Sequence, residues 1–242
     1  MFRFLMKTIL CVLLVLLILA GVLWFGTPDV SLLAQANPVT TSFMEYRREQ
    51  GGETFTIQHV WVDYAAISRW FILAVIECED ANFFEHAGFD WDAIKNAAGE
   101  IIEQRHIVRG GSTITQQLAK NLYLQPTRHV WRKLREALIT WRMERELEKE
   151  RILELYMNIV EMGEGIFGVE AASRHYFNTS AADLDPVEAV CLATILPAPL
   201  ELSPLERGPR WLHDRRRRVL AYLLEQSDYG VQRRQGFLQR LP

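Results

Sequence analysis

Cysteine is scarce in this sequence, with three residues among 242. Cys11 lies in a long apolar segment, which leaves Cys78 and Cys191 for the remainder of the chain. So few cysteines exclude a small scaffold held together by many disulfide bonds. Both remaining cysteines fall in apolar helical patterns, where a free thiol behaves as a small hydrophobe. A single disulfide between them is left open, since spacing alone does not decide pairing.

An excess of positive charge is also lacking. The formal net charge is −3 and the isoelectric point is about 6.1. This balance argues against nucleic acid as a partner, because nucleic-acid-binding domains are usually basic. Strand signals, internal repeats and long low-complexity tracts are scarce as well. Helical periodicity covers most of the sequence, which therefore predicts an all-α domain.

The longest apolar segment lies near the N-terminus. Thr8 to Phe25 carries no charge and is long enough to span a bilayer as a helix. Arg3 and Lys7 precede it, and the next basic residue is Arg47. Because positive charge favours the cytoplasmic side, we predict a cytoplasmic N-terminus with the rest of the chain outside.

A cleaved signal peptide is the alternative interpretation of this segment. Ala34-Gln35-Ala36 has the small-x-small form of a cleavage site. However, the apolar core of a signal peptide runs for about 7–15 residues, with cleavage close behind. The apolar run is longer here and Ala36 lies well past its end, so we favour an uncleaved anchor.

The length of the chain allows one domain of about 200 residues with an appendage. Glycine and proline among polar residues indicate a linker behind the apolar segment. We therefore divide the chain into a cytoplasmic tip and membrane anchor at residues 1–26, a juxtamembrane linker at 27–54, a helical domain at 55–230 and a C-terminal tail at 231–242.

The stretch from Glu79 to Asp90 contains the first candidate for a catalytic residue, and an amphipathic helical pattern precedes it. Glu79 lies four residues after Val75, so it shares a face with apolar side chains. It also lies near the negative end of the helix dipole. Both conditions disfavour an ionised carboxylate and make Glu79 a candidate general base or acid. The alternative is a solvated glutamate at the end of a helix.

A glycine pair, Gly110 and Gly111, opens a second stretch of interest. Thr113 and Gln116 have the spacing of a capping box, and the helix that follows should run to about Leu124. A helix N-terminus behind glycines suits a phosphate-type anion. Three polar side chains would share the face of this helix, namely Thr113, Gln117 and Lys120. The alternative is a plain glycine turn that caps a surface helix.

Apolar periodicity predicts further helices at Trp91 to Glu103, Trp131 to Val160, Val169 to Phe177, Leu184 to Leu196 and Trp211 to Leu224. The second of these stretches is either two helices or one helix with a break. Two charged runs, Glu144 to Arg151 and Arg215 to Arg218, are interpreted as solvated helix faces. For the arginine run, contact with lipid headgroups is the alternative.

Residues in five segments also match the motifs of a known family. In chain order the matching residues are Glu79-Asp80, Phe83, His86 and Gly88; Gly110 to Thr113, Gln116-Gln117 and Lys120-Asn121; Arg132-Lys133 and Glu136; Arg151 to Glu154 and Tyr156 to Asn158; and Gly165 to Phe177, Leu196-Pro197 and Pro199. Together they resemble the signatures of the family 51 glycosyltransferases, the peptidoglycan glycosyltransferases. Met157 and Arg151 stand where that family commonly has Leu and Lys.

The resemblance implies a lysozyme-like, mainly helical glycosyltransferase domain. It implies polymerisation of lipid II into β-1,4-linked glycan, with release of undecaprenyl diphosphate. Glu79 would take the proton from the acceptor hydroxyl, and Glu136 would be the second acidic residue. The remaining family positions would bind the diphosphate or the sugars, and they are Gly110, Ser112, Thr113, Gln117, Lys120, Asn121, Arg132 and Lys133. Since an α-linked donor gives a β-linked product, we expect inversion, with the two carboxylates facing each other across a cleft.

The resemblance implies no essential cofactor, and a divalent cation, Mg²⁺ or Mn²⁺, is left open at Glu136. The expected partners are lipid II, the growing glycan chain and the membrane. Cell-division and penicillin-binding proteins are further candidates, and nucleic acid is not expected. The expected location is the bacterial inner (plasma) membrane, with the catalytic domain in the periplasm.

Two other functions are compatible with parts of the pattern. A lytic enzyme of the same fold class would cleave glycan with a single acid, but it would not need cations for a diphosphate. A non-catalytic, membrane-anchored scaffold would be expected to have lost some of the site residues. The sequence favours synthesis because Glu79, Lys120, Arg132, Lys133 and Glu136 are all present.

Overall fold

The computed structural model describes residues 2–52, 54–95, 111–126 and 130–242. This part of the chain is mainly helical, as the sequence predicts. The helices are α1 (Phe2–Phe25), α2 (Ser42–Gly51), α3 (Arg69–Glu79), α4 (Ile114–Tyr123), α5 (Val130–Glu146), α6 (Lys149–Ile159), α7 (Val169–Phe177), α8 (Pro186–Ile195), α9 (Arg210–Glu225) and α10 (Val231–Gln239). Residues 91–95 are also helical, and the rest of the helix predicted for Trp91 to Glu103 lies outside the described residues.

Helix α1 contains the apolar segment predicted to be an anchor. Within the part of the chain that the structure describes, no helix is long and apolar enough to cross a membrane.

A small sheet, absent from the all-α prediction, completes the domain. Its strands are β1 (Gln58–His59), β2 (Glu161–Gly163) and β3 (Ile166–Phe167). Strand β3 lies in the middle, parallel to β1 and antiparallel to β2. Strand β1 lies within Phe55 to Val62, whose loose alternation indicates a short strand or extended segment. Strands β2 and β3 have three and two residues, which is too short for a recognisable alternation, and the sequence does not reveal them.

The core is built around α8, whose residues are almost all buried. A helix that is apolar all round is stable only inside a protein, and α3 and α9 pack against this one. Its start is locally specified, because the Asp185 side chain accepts hydrogen bonds from the backbone N–H groups of Val187 and Glu188. Pro186 occupies the first turn, where it costs no hydrogen bond. This helix and its first residues agree with the prediction.

Both segments expected to lie outside the domain contribute to its core. In the predicted linker, Val30, Leu33 and Met44 are buried, and α2 packs against α4. In the predicted tail, α10 buries Phe237 against the core. The sequence suggested otherwise because each segment has only a few apolar residues among polar ones, too few to repeat over several helical turns.

The charged run from Glu144 to Arg151 is only in part the solvated face that we predicted, since Arg145, Glu146, Glu148 and Glu150 are exposed, whereas Glu144 and Lys149 are partly buried. The Glu144 side chain is buried and pairs with Lys149 at 2.8 Å. Lys149 also donates to the backbone carbonyl of His86 at 2.7 Å. These charges lie at the break between α5 and α6, where they hold the loop that follows α3. Alternating charge is typical of a solvated helix face, but within this run Lys149 contacts both Glu144 and the carbonyl of His86, which is distant in sequence.

The two cysteines of the domain do not form a disulfide. Cys78 and Cys191 are both free thiols. Cys191 lies in the buried helix α8, and burial raises the pKa of its thiol to about 11. It therefore behaves as the small hydrophobe that the sequence predicts.

Candidate active site

Glu79 is the last residue of α3 and lies at the edge of the core. Its side chain is only 10% exposed. The amide Nε2 of Gln117 donates to one carboxylate oxygen at 3.0 Å, and a guanidinium nitrogen of Arg215 lies 3.4 Å from the other. The same nitrogen of Arg215 donates to the carbonyl of Cys78 at 2.7 Å. Glu79 therefore lies on a largely buried face with Val75, as predicted, and is not a solvated glutamate, but an amide and a guanidinium also contact its carboxylate.

A buried tyrosine fixes the orientation of the Gln117 amide. The hydroxyl of Tyr156 donates to Oε1 of Gln117 at 3.1 Å. Tyr156 is fully buried, and this burial raises the pKa of its phenol well above the usual value. The phenol therefore remains a neutral donor, and the amide must present its oxygen to Tyr156 and its nitrogen to Glu79. The carboxylate of Glu79 is thus held from two sides by groups that cannot turn freely.

Arg215 is a site residue that the sequence analysis missed, because the run from Arg215 to Arg218 was interpreted as a solvated face. A signal was present in the spacing. Leu212 and Val219 are buried on α9, and Arg215 lies three residues after the first and four before the second. Helical periodicity alone places it on the inner face. Arg216, also on this face, is fully buried and donates to backbone carbonyls of the loop before α9.

The second predicted carboxylate, Glu136, lies in a group of cations. It is on α5 with a side chain only 3% exposed. Nη1 of Arg132 donates to it at 3.0 Å, and Nζ of Lys133 donates to its other oxygen. Both partners lie on the same helix, three or four residues earlier, as i,i+3 and i,i+4 pairs do. Because Arg132 and Lys133 both point at one carboxylate, their positive charges are concentrated at one point of the surface.

Lys120 connects the two carboxylates electrostatically. It lies on α4, which packs against both α5 and α6. Burial lowers the pKa of Lys120, and the charge of Glu136 acts in the opposite direction. Arg132 and Lys133 lower that pKa further, whereas Glu79 raises it. The ammonium group of Lys120 therefore experiences the charge of every other ionised group in the predicted site.

At the N-terminus of α4, where the sequence predicts a site for a phosphate-type anion, side chains of the protein cap some of the backbone N–H groups. The capping box of Thr113 and Gln116 is present. However, Oδ2 of Asp80 accepts from the backbone N–H of Ile114 at 2.9 Å, so a carboxylate already lies at this helix end. The hydroxyl of Thr113 donates to the carbonyl of Gly88 at 2.8 Å. Thr113 therefore has a structural contact, and its expected role at the diphosphate stays a prediction.

The remaining residues predicted to bind substrate in this segment are Gly110, Ser112 and Asn121. Ser112 is half-buried next to the start of α4, and Asn121 is buried further along the helix. Gly110 lies outside the described residues. Their expected contacts with substrate stay predictions.

Asp80 and Gly88 fix the loop that follows Glu79. Oδ1 of Asp80 lies 2.8 Å from Nε2 of His86, whose Nδ1 accepts from the backbone N–H of Gly88. The imidazole Nε2 therefore carries the proton and donates to Asp80. Gly88 has a φ of +90°, and a Cβ there would lie 2.8 Å from a methyl carbon of Thr140 on α5. Only glycine lets the loop pass this close to the helix, and the turn fixes the backbone directly after Glu79.

The surroundings of Glu136 do not fit the divalent cation that was left open there. Among the described residues, no group of three His, Cys, Asp or Glu side chains could hold a metal ion. Both oxygens of Glu136 accept from cationic side chains, Arg132 and Lys133, whereas Mg²⁺ requires several oxygen ligands. We therefore assign no step to a metal.

Comparison with known proteins gives a consistent match. The family described as Transglycosylase matches residues 47–224. A relative from Nitrosomonas eutropha is 47% identical over 179 residues, which cover 73% of this chain and 73% of the relative. A relative from Methylobacillus flagellatus is 48% identical over 166 residues, covering 67% and 72%. One from Nitrosomonas europaea is 46% identical over 183 residues, covering 74% and 75%. All three are named biosynthetic peptidoglycan transglycosylase.

Proposed function

The chain belongs to the transglycosylase family, and we propose that it is a peptidoglycan glycosyltransferase that polymerises lipid II into β-1,4-linked glycan. The observation that supports this proposal best is that two carboxylates, Glu79 and Glu136, have different partners. Glu79 is held by Gln117 and Arg215. Glu136 lies with Arg132 and Lys133, and Lys120 is in electrostatic reach of both. Such an arrangement suits a reaction that removes a proton at one point and releases an anion at another.

The proposed reaction is a single displacement at the anomeric carbon of the donor sugar. Glu79 takes the proton from the acceptor 4-hydroxyl while that oxygen forms the new bond to the donor carbon. The bond from this carbon to the diphosphate breaks, and undecaprenyl diphosphate leaves with the electron pair. Lys120, Arg132 and Lys133 stabilise its negative charge, which develops in the transition state. Attack opposite to the leaving group converts the α-linked donor into a β-linked product, as inversion requires.

Glu136 has the role of holding the cations together in this proposal. Without a carboxylate among them, three positive groups in a half-buried site would repel one another and turn towards solvent. A carboxylate that is only 3% exposed keeps Arg132 and Lys133 in place before the substrate arrives. Positioned charges stabilise a transition state better than charges that must first rearrange.

Arg215 has a positioning role for Glu79, which gives a testable prediction. We expect Arg215→Gln to lower kcat about 10- to 100-fold with little change in KM, because a misplaced base mainly affects the chemical step. Arg215→Lys, which keeps the charge, should recover part of the activity. Steady-state assays with lipid II would measure both parameters. Arg217→Gln is the matched control, since Arg217 lies on the exposed face of the same helix. Unchanged kcat in Arg215→Gln would contradict the role.

The nearest alternative is a lytic enzyme of similar fold that cleaves finished glycan. It would need an acid for a neutral sugar bond, but no group of cations for a diphosphate. The two functions are distinguished by supplying the purified chain with labelled lipid II in one assay and finished peptidoglycan in another. Polymer from lipid II supports the proposal. Soluble fragments from finished peptidoglycan, without polymer from lipid II, would identify a lytic enzyme. A folded protein with neither activity would instead indicate a non-catalytic scaffold.

The proposal includes a lysozyme-like fold for the catalytic domain and a membrane anchor in α1. The uncharged stretch from Thr8 to Phe25 supports the anchor, since its length suits a bilayer. Helix α5 gives further support. Trp131, Leu134 and Trp141 form an exposed apolar stripe on it, with exposed fractions of 55%, 44% and 37%. Exposed tryptophans next to apolar residues are typical of surfaces that lie in the membrane interface.

The segment directly after α1 lies against α5, which is consistent with this arrangement. Arg135 donates to the carbonyl of Gly26 at 3.3 Å, and Arg142 donates to that of Pro28 at 3.3 Å. Both acceptors lie within three residues of the end of α1. A helix anchored in a bilayer would therefore hold the stripe of α5 near the same bilayer, and with it the neighbouring cations of the site.

Membrane extraction tests the proposed location at the inner membrane. We expect the full chain to stay with bacterial membranes after washing at alkaline pH, which removes peripheral proteins but not spanning helices. Protease added outside spheroplasts should digest the domain, and the intact protein should keep the mass of the uncleaved chain. Release by the alkaline wash, or loss of the first 36 residues, would contradict an uncleaved anchor.

A further inference from the structure

The segment between α1 and α2 is part of the folded domain. We call residues 26–37 of this segment the strap. It contains one 3-10 turn, Ser31–Ala34, which packs against α5. Val30 and Leu33 point into the core, with exposed fractions of 0% and 7%. These buried side chains give the strap a fixed path across the domain, which a flexible linker does not have.

Two arginines of α5 hold the first half of the strap. Arg135 donates to the backbone carbonyl of Gly26 and Arg142 donates to that of Pro28, both at 3.3 Å. Next to them, the Asp29 carboxylate accepts from the backbone N–H and the hydroxyl of Ser31, at 2.9 and 2.7 Å. The path of the chain directly after α1 is therefore fixed to α5.

One arginine of α6 holds the second half of the strap. Nε of Arg151 donates to the backbone carbonyl of Leu33 at 2.7 Å. Its Nη2 donates to the carbonyl of Ala36 at 3.1 Å and to the side-chain oxygen of Asn37 at 2.7 Å. A guanidinium presents five N–H donors in a rigid plane. A single side chain of α6 therefore fixes the strap at several points.

Helix α5 connects the strap with the proposed diphosphate site. Arg132 and Lys133 lie on the same helix as Arg135 and Arg142. Nine residues separate Lys133 from Arg142, which corresponds to about 14 Å of helix. A hydrogen-bonded helix does not stretch over such a length. The chain at the end of α1 and the cations of the site therefore keep a constant separation.

A donor carried on a lipid makes this constant separation useful. Its hydrocarbon chain lies in the bilayer, so its diphosphate stays at the level of the headgroups. A helix α1 that spans the same bilayer would give the strap, and with it α5, a constant height above that level. An error of about 1 Å in the position of reacting groups can lower a rate about 100-fold, so a constant height favours reaction.

From these contacts we propose that the strap sets the height of Arg132 and Lys133 above the bilayer. The protein then selects a diphosphate donor held in a membrane over the same sugar diphosphate on a short, soluble chain. A loose tether would also raise the local concentration of enzyme and donor, but it would allow many heights. The inference rests on the anchor and the reaction proposed above, and it adds the rigid link between them.

The test loosens the strap at its start without removing the anchor. Six residues of alternating Gly and Ser are inserted between Phe25 and Gly26, and the full chain is placed in lipid vesicles. Such an insert spans about 13 Å on average and lets the domain move relative to α1. We expect polymerisation of lipid II in the vesicles to fall at least fivefold. The rate with a short-chain, water-soluble lipid II analogue should stay within twofold of wild type.

The matched control places the same insert beyond the strap, between Pro38 and Val39. Val39 is 93% exposed, so the chain can be lengthened there without disturbing the core. The strap of this variant is still fixed to α5 and α6, and both rates should be within twofold of wild type. All three proteins should float with the vesicles, which shows that the anchor itself is unchanged.

Hydrogen exchange tests the strap without any substrate. The backbone N–H groups of Leu33 and Ala36 donate within the strap at 3.0 and 2.9 Å, and amides in a fixed segment exchange slowly. We expect at least tenfold faster exchange at both positions in Arg151→Gln. Arg174→Gln, which removes an arginine from a surface ion pair on α7, should exchange as wild type does.

Four results would overturn the proposal. They are a vesicle rate within twofold of wild type for the insert after Phe25; an equal loss with both donors; an equal loss in the control insert; and unchanged exchange of the strap in Arg151→Gln. Wild type that does not float with vesicles would refute the anchor on which the proposal rests. Wild type that floats but polymerises neither donor would refute the proposed reaction, whereas the hydrogen exchange would still report on the strap.

Discussion

Glu79→Gln is expected to abolish nearly all glycan synthesis while leaving the protein folded. General base catalysis contributes about 10²- to 10⁴-fold to a rate, and a carboxamide cannot accept the proton of the acceptor hydroxyl. Glutamine has the size of glutamate but only one acceptor oxygen, so it can keep the hydrogen bond from Gln117 or the contact with Arg215, and its NH₂ group faces the other donor. Polymer formation from labelled lipid II, followed under single-turnover conditions, would measure the loss.

Glu85→Gln is the matched control for this substitution. Glu85 lies in the loop that follows α3, and its side chain is exposed. The same chemical change there should leave the rate within twofold of wild type. Thermal unfolding of both variants should be similar to wild type, which separates lost chemistry from lost structure. A rate for Glu79→Gln within tenfold of wild type would assign the base to another residue.

Lys120→Met is expected to produce the second large loss. Methionine fills nearly the same volume as lysine but brings no charge to the leaving diphosphate. Removing one group that stabilises transition-state charge costs about 10²- to 10³-fold in kcat. Burial lowers the pKa of Lys120, and the charges of Glu136 and Glu79 act on this group in the opposite direction.

The control for Lys120→Met is Lys95→Met, because Lys95 is exposed and pairs only with the exposed Asp92 among the described residues. It should polymerise lipid II at the wild-type rate. Addition of undecaprenyl diphosphate as an inhibitor gives a second readout, since Lys120→Met should bind this product more weakly. A Lys120→Met enzyme with kcat within threefold of wild type would remove Lys120 from the proposed chemistry.

Features set by neighbouring residues could be predicted from the sequence. The capping box of Thr113 and Gln116 and the cap of α8 by Asp185 both depend on side chains within four residues of one another. The same holds for Glu136, whose cationic partners lie three and four residues earlier on its own helix. Local spacing determines such contacts, so the pattern carries enough information.

Contacts between distant segments were missed or misinterpreted. Arg215 meets Glu79 across 136 positions of the chain, and Asp80 reaches the N–H of Ile114 across 34. The charge of each residue was visible in the sequence, but its partner was not. The arginine run therefore looked solvated, although folding brings Arg215 to Glu79. The helix start behind the glycines looked open to an external anion, although folding brings Asp80 to it.

The central claim places the proton acceptor and the leaving diphosphate on different groups of residues. A crystal structure of Glu79→Gln with a non-reactive lipid II analogue in the donor position and a short glycan acceptor tests this most directly. We predict that the acceptor 4-hydroxyl lies about 2.6–3.2 Å from the side chain at position 79, and that the diphosphate contacts Lys120, Arg132 and Lys133. A diphosphate bound next to position 79, or an acceptor hydroxyl held by Glu136, would contradict the proposed mechanism.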